Sequence, residues 1–417
     1  MISEVLEFAR LLERRRWSRA RIDELRRAKL RRLMEHAYRN VPYYRTLMDR
    51  AGVRPEQIRE PADLAKIPVS TKSDLRKAGE DVLTRGHGDL MVHHTSGHSG
   101  VPFEVWMTPA EYRTRRLREF RMLIGVGVRA RDRLTLLGPL KTRPARLHRR
   151  LGLYRMEVIP LVLPREEQLR RLRAANPDVL WAYPGTLLTM LHYAGCELRE
   201  LARPRILITS SEVMRPLVRE RLRAELPEME IVNIYGSSEA GRIAAECRER
   251  RGLHLEDDAL IVELLKDGSP AETGREGRVV LTCLDQLAMP LIRYEQGDIC
   301  RLQAEPCTCG RATPLMDPPL GRDSDLIAMA DGARVSSDRI EVALQDETEL
   351  VQYRFVQDEP GRIVAQLCFR REPGEGKLAE VRRKMEEAAG GEFSVEVELV
   401  GEPTFERTKF KILISRV

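Results

Sequence analysis

From Asp132 onward, short apolar runs alternate with longer amphipathic stretches, and this alternation narrows the possible folds more than any other feature of the chain. The runs Leu134–Leu137, Val158–Leu163, Val179–Ala182, Ile206–Ile208 and Ile231–Ile234 are short and uniformly apolar, as buried strands are. Between them, Arg165–Ala175, Thr186–Tyr193 and Pro216–Leu226 space their apolar residues three and four apart, the period of a helix with one face on a core. Strands buried on both sides, with helices between them, predict an α/β sheet of parallel strands covered on both faces. Ligands then belong at the loops leaving the strand C-termini.

The 417 residues exceed what one core usually supports, so two domains are expected. Before about Asp81 the pattern is helical, with the same spacing through Ile22–Met34 and turn signals at Val41-Pro42 and Ile67-Pro68. After Gly321 a strand at Arg362–Phe369, a helix at Leu378–Ala389 and a strand at Phe393–Val400 outline a compact α+β unit. There is no low-complexity linker, so the junction near Gly321-Arg322 reads as a tight hinge. The expected division is residues 1–320, opening with a helical segment of about residues 1–81, followed by residues 321–417.

With 42% apolar and 32% charged residues the chain can bury a core and still cover itself with charge. The formal charge of +7 includes Arg-rich helix such as Glu13–Arg32, which reads as a solvated face. Aromatics make up 5% and do not interleave with the Arg runs, so a nucleic-acid platform is not expected. The N-terminus lacks the basic and apolar regions of a secretory signal, and no apolar run approaches a membrane span. Seven cysteines in a chain this large do not suggest a disulfide framework. A cytoplasmic setting is expected, with neither membrane nor nucleic acid as partner.

The segment His93–Pro102 places the hydroxyls and glycines Thr95, Ser96, Gly97, Ser99 and Gly100 between apolar flanks, which suits phosphate oxygens. It is not a Walker A loop, and alone it reads equally as a polar turn. Thr95–Pro102, however, resembles the T-S-G-[TS]-[TS]-G-x-P loop of the adenylate-forming superfamily, and further resemblances follow in order. Asn233–Glu239 is similar to its Y-G-x-[TS]-E motif, Leu291–Asp298 to R-[YF]-x-x-G-D, and Gly321–Ile327 to the G-R-x-D-D-x-I hinge, while Arg407–Lys411 lies where its C-terminal lysine is expected. Within the superfamily the chain resembles the phenylacetate–CoA ligase group, which includes capsule-cluster relatives and coenzyme F390 synthetase. The residues that carry this are Asn40–Arg45, Ile67–Leu75, and Pro290–Tyr294 before Cys307-Thr-Cys-Gly310.

The resemblance implies a large multi-subdomain α/β N-terminal domain with a small, mobile α+β cap, using ATP and Mg²⁺ to activate a carboxylic acid as an acyl-adenylate. Thr95, Ser96, Gly97, Ser99 and Gly100 would hold the β- and γ-phosphates, although Val101 stands where many relatives carry Lys. Glu239 would bind Mg²⁺. Tyr235, Gly236 and Ser238 would line the adenine and α-phosphate side, with Ser211 and Glu212 near the adenine. Asp298 and Arg322 would meet the ribose. Lys409 would bridge the carboxylate and the α-phosphate; Lys411 is the neighbouring candidate, since Thr408 replaces the usual Gly. Ser324 replaces the first Asp of the hinge, and Asp325 is retained. Taken singly, most of these residues would pass as surface charge or capped turns.

Trp181, Tyr183 and Gly185, with Leu136–Pro139 and Gly236, would wall a pocket suited to an aromatic acid. Coenzyme A is the expected acceptor; an amine or a carrier protein would serve the same first half-reaction, and a non-catalytic scaffold is the alternative of another class. A homodimer is an admitted assembly. Cys307 and Cys309, with Cys247 and His254 upstream, offer a tetrahedral set for a structural Zn²⁺. Spacing alone leaves small core cysteines as an equal reading, and a similar Cys/His set in some relatives of the group favours zinc. Cys196, Cys283, Cys300 and Cys368 read as core residues.

Overall fold

A computed structural model describes residues 2–94, 103–138, 154–214, 216–322, 326–344, 346–347, 349–402 and 412–417. They form two compact units, Met1–Gly127 with Ile234–Pro319, and Val128–Asn233 with Leu320–Val417. The fold is mixed α/β.

In the second unit the expected parallel sheet is present. Arg155–Pro160, Arg133–Gly138, Val179–Ala182 and Ile206–Ser210 lie side by side in that order, with Leu134 opposite Val179 and Val179 opposite Ile206. Residues 230–233 continue the series. Leu137, Leu180 and Leu207, on one face of the sheet, share a core with Leu172, Leu187 and Leu222 of the helices, and Val179–Ala182 and Ile206–Ser210 are buried on both faces. The strand expected over Val158–Leu163 ends at Pro160, where the chain turns. Leu163 N donates to Pro160 O at 3.2 Å, and Gln168 Nε2 holds the Leu161 and Leu163 carbonyls at 3.1 and 2.8 Å. The helix Pro184–Ala194 opens on a proline at its first position and closes on Gly195 at φ 59°.

Toward the C-terminus, Ser394–Leu399, Arg362–Phe369, Leu350–Glu359 and Leu413–Ser415 form a four-stranded sheet. Its central pair is antiparallel and its outer strands are parallel to their neighbours. The helix Glu375–Ala389 packs Val381 and Met385 with Phe355 and Ile363 of the sheet into a separate core.

The first unit contains strands the sequence pattern did not reveal. Ser269–Pro270, Leu260–Lys266, Glu276–Cys283 and Tyr294–Arg301 form an antiparallel meander. Gly241–Glu246, Leu253–Leu255 and Leu315–Met316 form a second antiparallel set.

The N-terminal helices correct the solvated-face reading of Glu13–Arg32. The helix Ile2–Glu13 stops, Arg14–Arg16 make a turn, and Arg19–Asn40 restarts on Ser18, whose side chain accepts from Arg21 N at 3.4 Å. The inner face is an ion-pair network: Arg14 with Asp258 at 3.1 Å, Arg26 with Asp257 at 3.1 Å, Lys29 with Asp285 at 2.6 Å, and Arg19 with Asp257. Asp257 and Asp258 are 2% and 5% exposed, and carboxylates so buried must be paired. The basic residues are therefore partners of buried acids as much as surface charge.

The group-specific motifs meet in this unit. Tyr44, fully buried, donates to Pro290 O at 2.9 Å and accepts from Ile292 N at 3.1 Å. Arg293 pairs with Glu263 at 3.0 Å and donates to Ile67 O at 2.6 Å. Ser70 exchanges backbone hydrogen bonds with Arg293 O and Glu295 N, both at 2.9 Å. Asn40–Arg45 and Ile67–Leu75 thereby fix the start of the strand that carries Tyr294 and Asp298. Among the described residues no helix is long and apolar enough to cross a membrane.

Candidate active site and metal cluster

Glu239 lies on the tight turn between Glu230–Ser237 and Gly241–Glu246. A Cβ on Gly236 would stand 2.5 Å from Gly241 O, so the close approach of the two strands here requires glycine. Arg115, on the helix Pro109–Gly125, is the main brace of the turn. It donates to Ser237 O at 3.2 Å, Ser238 O at 2.9 Å and Glu239 O at 3.4 Å, and burial lowers its pKa to about 10. The Glu239 side chain, 9% exposed, faces Lys72 Nζ at 3.2 Å and Tyr294 OH at 3.4 Å. Lys72 opens the helix Lys72–Ala78, capped by Thr71, and its ammonium sits 5.5 Å from the centre of the Phe103 ring.

Tyr235 is buried, and its hydroxyl donates to Asp298 Oδ2 at 2.6 Å. The first unit therefore brings together four expected site residues, Tyr235, Gly236, Ser238 and Glu239, and ties the fifth, Asp298, to Tyr235. Sequence reasoning assigned no role to Lys72, Tyr294 or Arg115. The first two lie inside motifs already recognised, but nothing in the spacing says that they point at Glu239.

The second unit assembles another group. Ser211 follows the strand Ile206–Ser210 with φ 71°, a conformation that side chains other than Gly, Asn or Asp seldom take. The reversal turns Glu212 onto the first turn of Pro184–Ala194, where its carboxylate accepts from Gly185 N at 2.8 Å. Trp181 Nε1 donates to Ser210 Oγ at 2.8 Å, and Trp181 and Tyr183 are both buried. Trp181, Gly185, Ser211 and Glu212 are thus one local cluster at a strand C-terminus, with Tyr183 within it in sequence. Arg322 lies half-buried in the short strand Gly321–Arg322. Thr95, Ser96, Gly97, Ser99, Gly100, Val101, Pro139, Ser324, Asp325, Lys409 and Lys411 lie outside the described residues.

Cys247, His254, Cys307 and Cys309 offer ligand atoms all within 4.8 Å of one another. Cys247 Sγ and Cys307 Sγ are 3.6 Å apart, and Cys309 Sγ is 3.2 Å from His254 Nε2. Ligands around a tetrahedral Zn²⁺ are separated by about 3.3–3.8 Å, given bonds of roughly 2.0–2.3 Å. Thr313 Oγ1 lies 3.0 Å from His254 Nδ1, which leaves Nε2 toward the sulfurs. Burial, aided by the charges of Arg311 and Arg15, lowers the His254 pKa to about 4, so the imidazole is in its neutral, metal-binding form. Of the remaining cysteines, Cys283, Cys300 and Cys368 are buried, and Cys196 is partly buried and packs against the core that holds Leu180 and Leu191. Burial pushes the Cys283 thiol up to about 11.

No family model matches the chain. The phenylacetate–coenzyme A ligase of Thermus thermophilus is 31% identical over 365 residues, covering 83% of this chain and 80% of that protein. Its Escherichia coli K12 counterpart is 29% identical over 330 residues, 74% of this chain and 73% of that one. In fold, the chain is similar to 2-hydroxyisobutyryl-CoA ligase solved in the postadenylation state, with a TM-score of 0.81 over 96% of this chain and 91% of that one at 20% identity. An anthranilate-CoA ligase in complex with anthranoyl-AMP gives 0.58 over 78% and 66% at 15% identity. By these relatives and its ordered motifs, the chain belongs to the phenylacetate–CoA ligase family, AMP-forming acid–CoA ligases that activate a carboxylic acid as an acyl-adenylate and then transfer it to coenzyme A.

Proposed function

We propose that the acid is aromatic and that its adenylate forms beside Glu239. The observation that carries this reading is the Glu239 carboxylate, nearly buried and held at 3.2 Å from the Lys72 ammonium. A carboxylate so placed would hold a hard cation such as Mg²⁺, which would supply positive charge to offset that of the triphosphate. Two anions must meet in this reaction, so cationic groups and oriented donors count most. Lys72 supplies an ammonium that the phosphate loop, with Val101, does not. Asp298, with one oxygen engaged by Tyr235, keeps acceptor capacity for ribose hydroxyls. Thr95, Ser96, Gly97, Ser99 and Gly100 would hold the β- and γ-phosphates, Lys409 would close on the carboxylate and the α-phosphate when residues 321–417 pivot near Gly321, and Arg322 would reach the ribose. An oxygen of the acid attacks the α-phosphorus, the bond to pyrophosphate breaks, and the CoA thiol later displaces AMP.

The aromatic assignment rests on Trp181, which donates to Ser210 just before the Ser211-Glu212 turn, on the buried Tyr183 at the start of the next helix, and on curated relatives named for phenylacetate. Thioester formation with ATP, Mg²⁺ and CoA should favour phenylacetate and substituted arylacetates over aliphatic acids of equal carbon number by about 10–200-fold in kcat/KM. Equal or better use of the aliphatic acids would remove the assignment and leave the adenylation reading intact.

One Zn²⁺ per chain is proposed at Cys247, His254, Cys307 and Cys309, pinning the loop after Gly241–Glu246 to the segment before Leu315–Met316. Elemental analysis of protein purified without added metal should find it at close to one equivalent. A stable preparation free of zinc contradicts the proposal.

A further inference from the structure

Beside the cysteine cluster, the first unit holds a cavity of about 50 Å³ whose lining carries more guanidinium than carboxylate. A single water needs only about 10–15 Å³ on this measure, so there is room for a small polyatomic ion. The charged lining is Arg14, Arg15, Arg121 and Arg311 against Glu256 and Asp258. Both carboxylates are already engaged. Asp258 accepts from Arg14 at 3.1 Å and from Arg121 at 2.8 Å, and Glu256 pairs with Arg121 and lies 3.7 Å from Arg118.

Arg15 and Arg311 are left over. Arg311 donates to Gly125 O at 3.2 Å, and Arg15, half-buried, has no hydrogen-bond or ion-pair acceptor among the described residues. The two converge: a Cβ on Gly125 would stand 3.3 Å from Arg15 Nη2 and 3.4 Å from Arg311 Nη2. Burial together with the charges of Arg311 and Arg121, only partly opposed by the attraction of Glu256, lowers the Arg15 pKa to about 10, so it remains a cation at neutral pH. Like-charged groups converging on one point without an anion between them repel, and the cost grows as they leave water. A zinc centre of three thiolates and one imidazole carries a single net negative charge and offsets only part of this surplus.

We propose that the cavity is a binding site for a phosphate-type oxyanion, gripped by the forks of Arg15 and Arg311. A planar guanidinium presents paired N–H donors that match two oxygens of such an ion, and two forks satisfy a tetrahedral ion from two sides. The ion is either free phosphate or the phosphomonoester of a larger molecule. The site is separate from the adenylation chemistry, and its test does not require turnover.

The test is calorimetric titration of the full-length protein with inorganic phosphate at constant ionic strength, with a saturating acyl-sulfamoyl adenosine, which carries no phosphate, present to occupy the nucleotide site. Arg15→Gln should weaken phosphate binding about tenfold or more, and Arg15→Lys, which keeps charge but loses the fork, should fall between. Adenosine 3′,5′-bisphosphate is the second probe; competition with phosphate identifies a phosphomonoester source, and its failure to compete identifies the free ion. Metal content is measured on every variant. Identical titrations of wild type and Arg15→Gln overturn the proposal, as does loss of zinc from Arg15→Gln with phosphate binding unchanged, which would make the arginines counter-charges of the metal centre.

Discussion

Lys409→Ala is expected to slow acid-dependent adenylate formation by about two to four orders of magnitude, because losing an oriented charge from a water-poor site costs on the order of 3–5 kcal/mol. Its ammonium would bridge the attacking carboxylate and the α-phosphate while pyrophosphate departs. Once the acyl-adenylate exists that charge has no further task, so transfer to CoA from a supplied adenylate should survive. Single-turnover assays of each half-reaction separate the two. Lys411→Ala is the control and should leave both steps nearly intact. If Lys411→Ala abolishes adenylation while Lys409→Ala does not, the lysine is two residues further on. Equal damage to both half-reactions from Lys409→Ala speaks against a cap that changes pose.

The second large effect is expected at Lys72. Its ammonium lies 3.2 Å from Glu239, with the two side chains 33% and 9% exposed. Lys72→Met removes a cation from the proposed meeting point of phosphates and carboxylate, and should lower kcat/KM for adenylation by about 10²–10³-fold. The same change strips Glu239 of its counter-charge, so the Mg²⁺ concentration giving half-maximal rate should fall even as the rate falls. Lys72→Arg, which keeps the charge with a different shape, should recover part of the rate. A purely structural role for Lys72 at the start of its helix predicts lost stability with an unchanged Mg²⁺ dependence.

The pairing of Lys72 with Glu239 shows what the sequence could not tell. Both lie in motifs that were recognised, but 167 residues apart, and no local pattern relates them. Tyr44 and Pro290 make the same point at 246 residues. The parallel strands were legible because burial on both faces makes them uniformly apolar. The meander through Leu260–Lys266 and Glu276–Cys283 also carries apolar runs, yet it lacks the intervening helices that announced the other sheet. The Arg-rich N-terminal helix was misread because its charge pattern is the same whether its partner is water or the buried pair Asp257-Asp258. The cysteine cluster was legible as residue types. Its closure depends on the antiparallel pairing of Leu315 with His254, which only the fold supplies.

The central claim, that a carboxylic acid is adenylated at the Glu239 turn, is tested most directly by exchange of labelled pyrophosphate into ATP, with Mg²⁺ present, CoA absent and an arylacetate as the acid. The account predicts exchange that requires the acid, survives without CoA, and drops by at least about a hundredfold in Glu239→Gln, whose neutral amide is a far weaker ligand for the metal. Folded wild-type protein that is silent across a broad panel of aromatic and aliphatic acids, or exchange undiminished in Glu239→Gln, would contradict it.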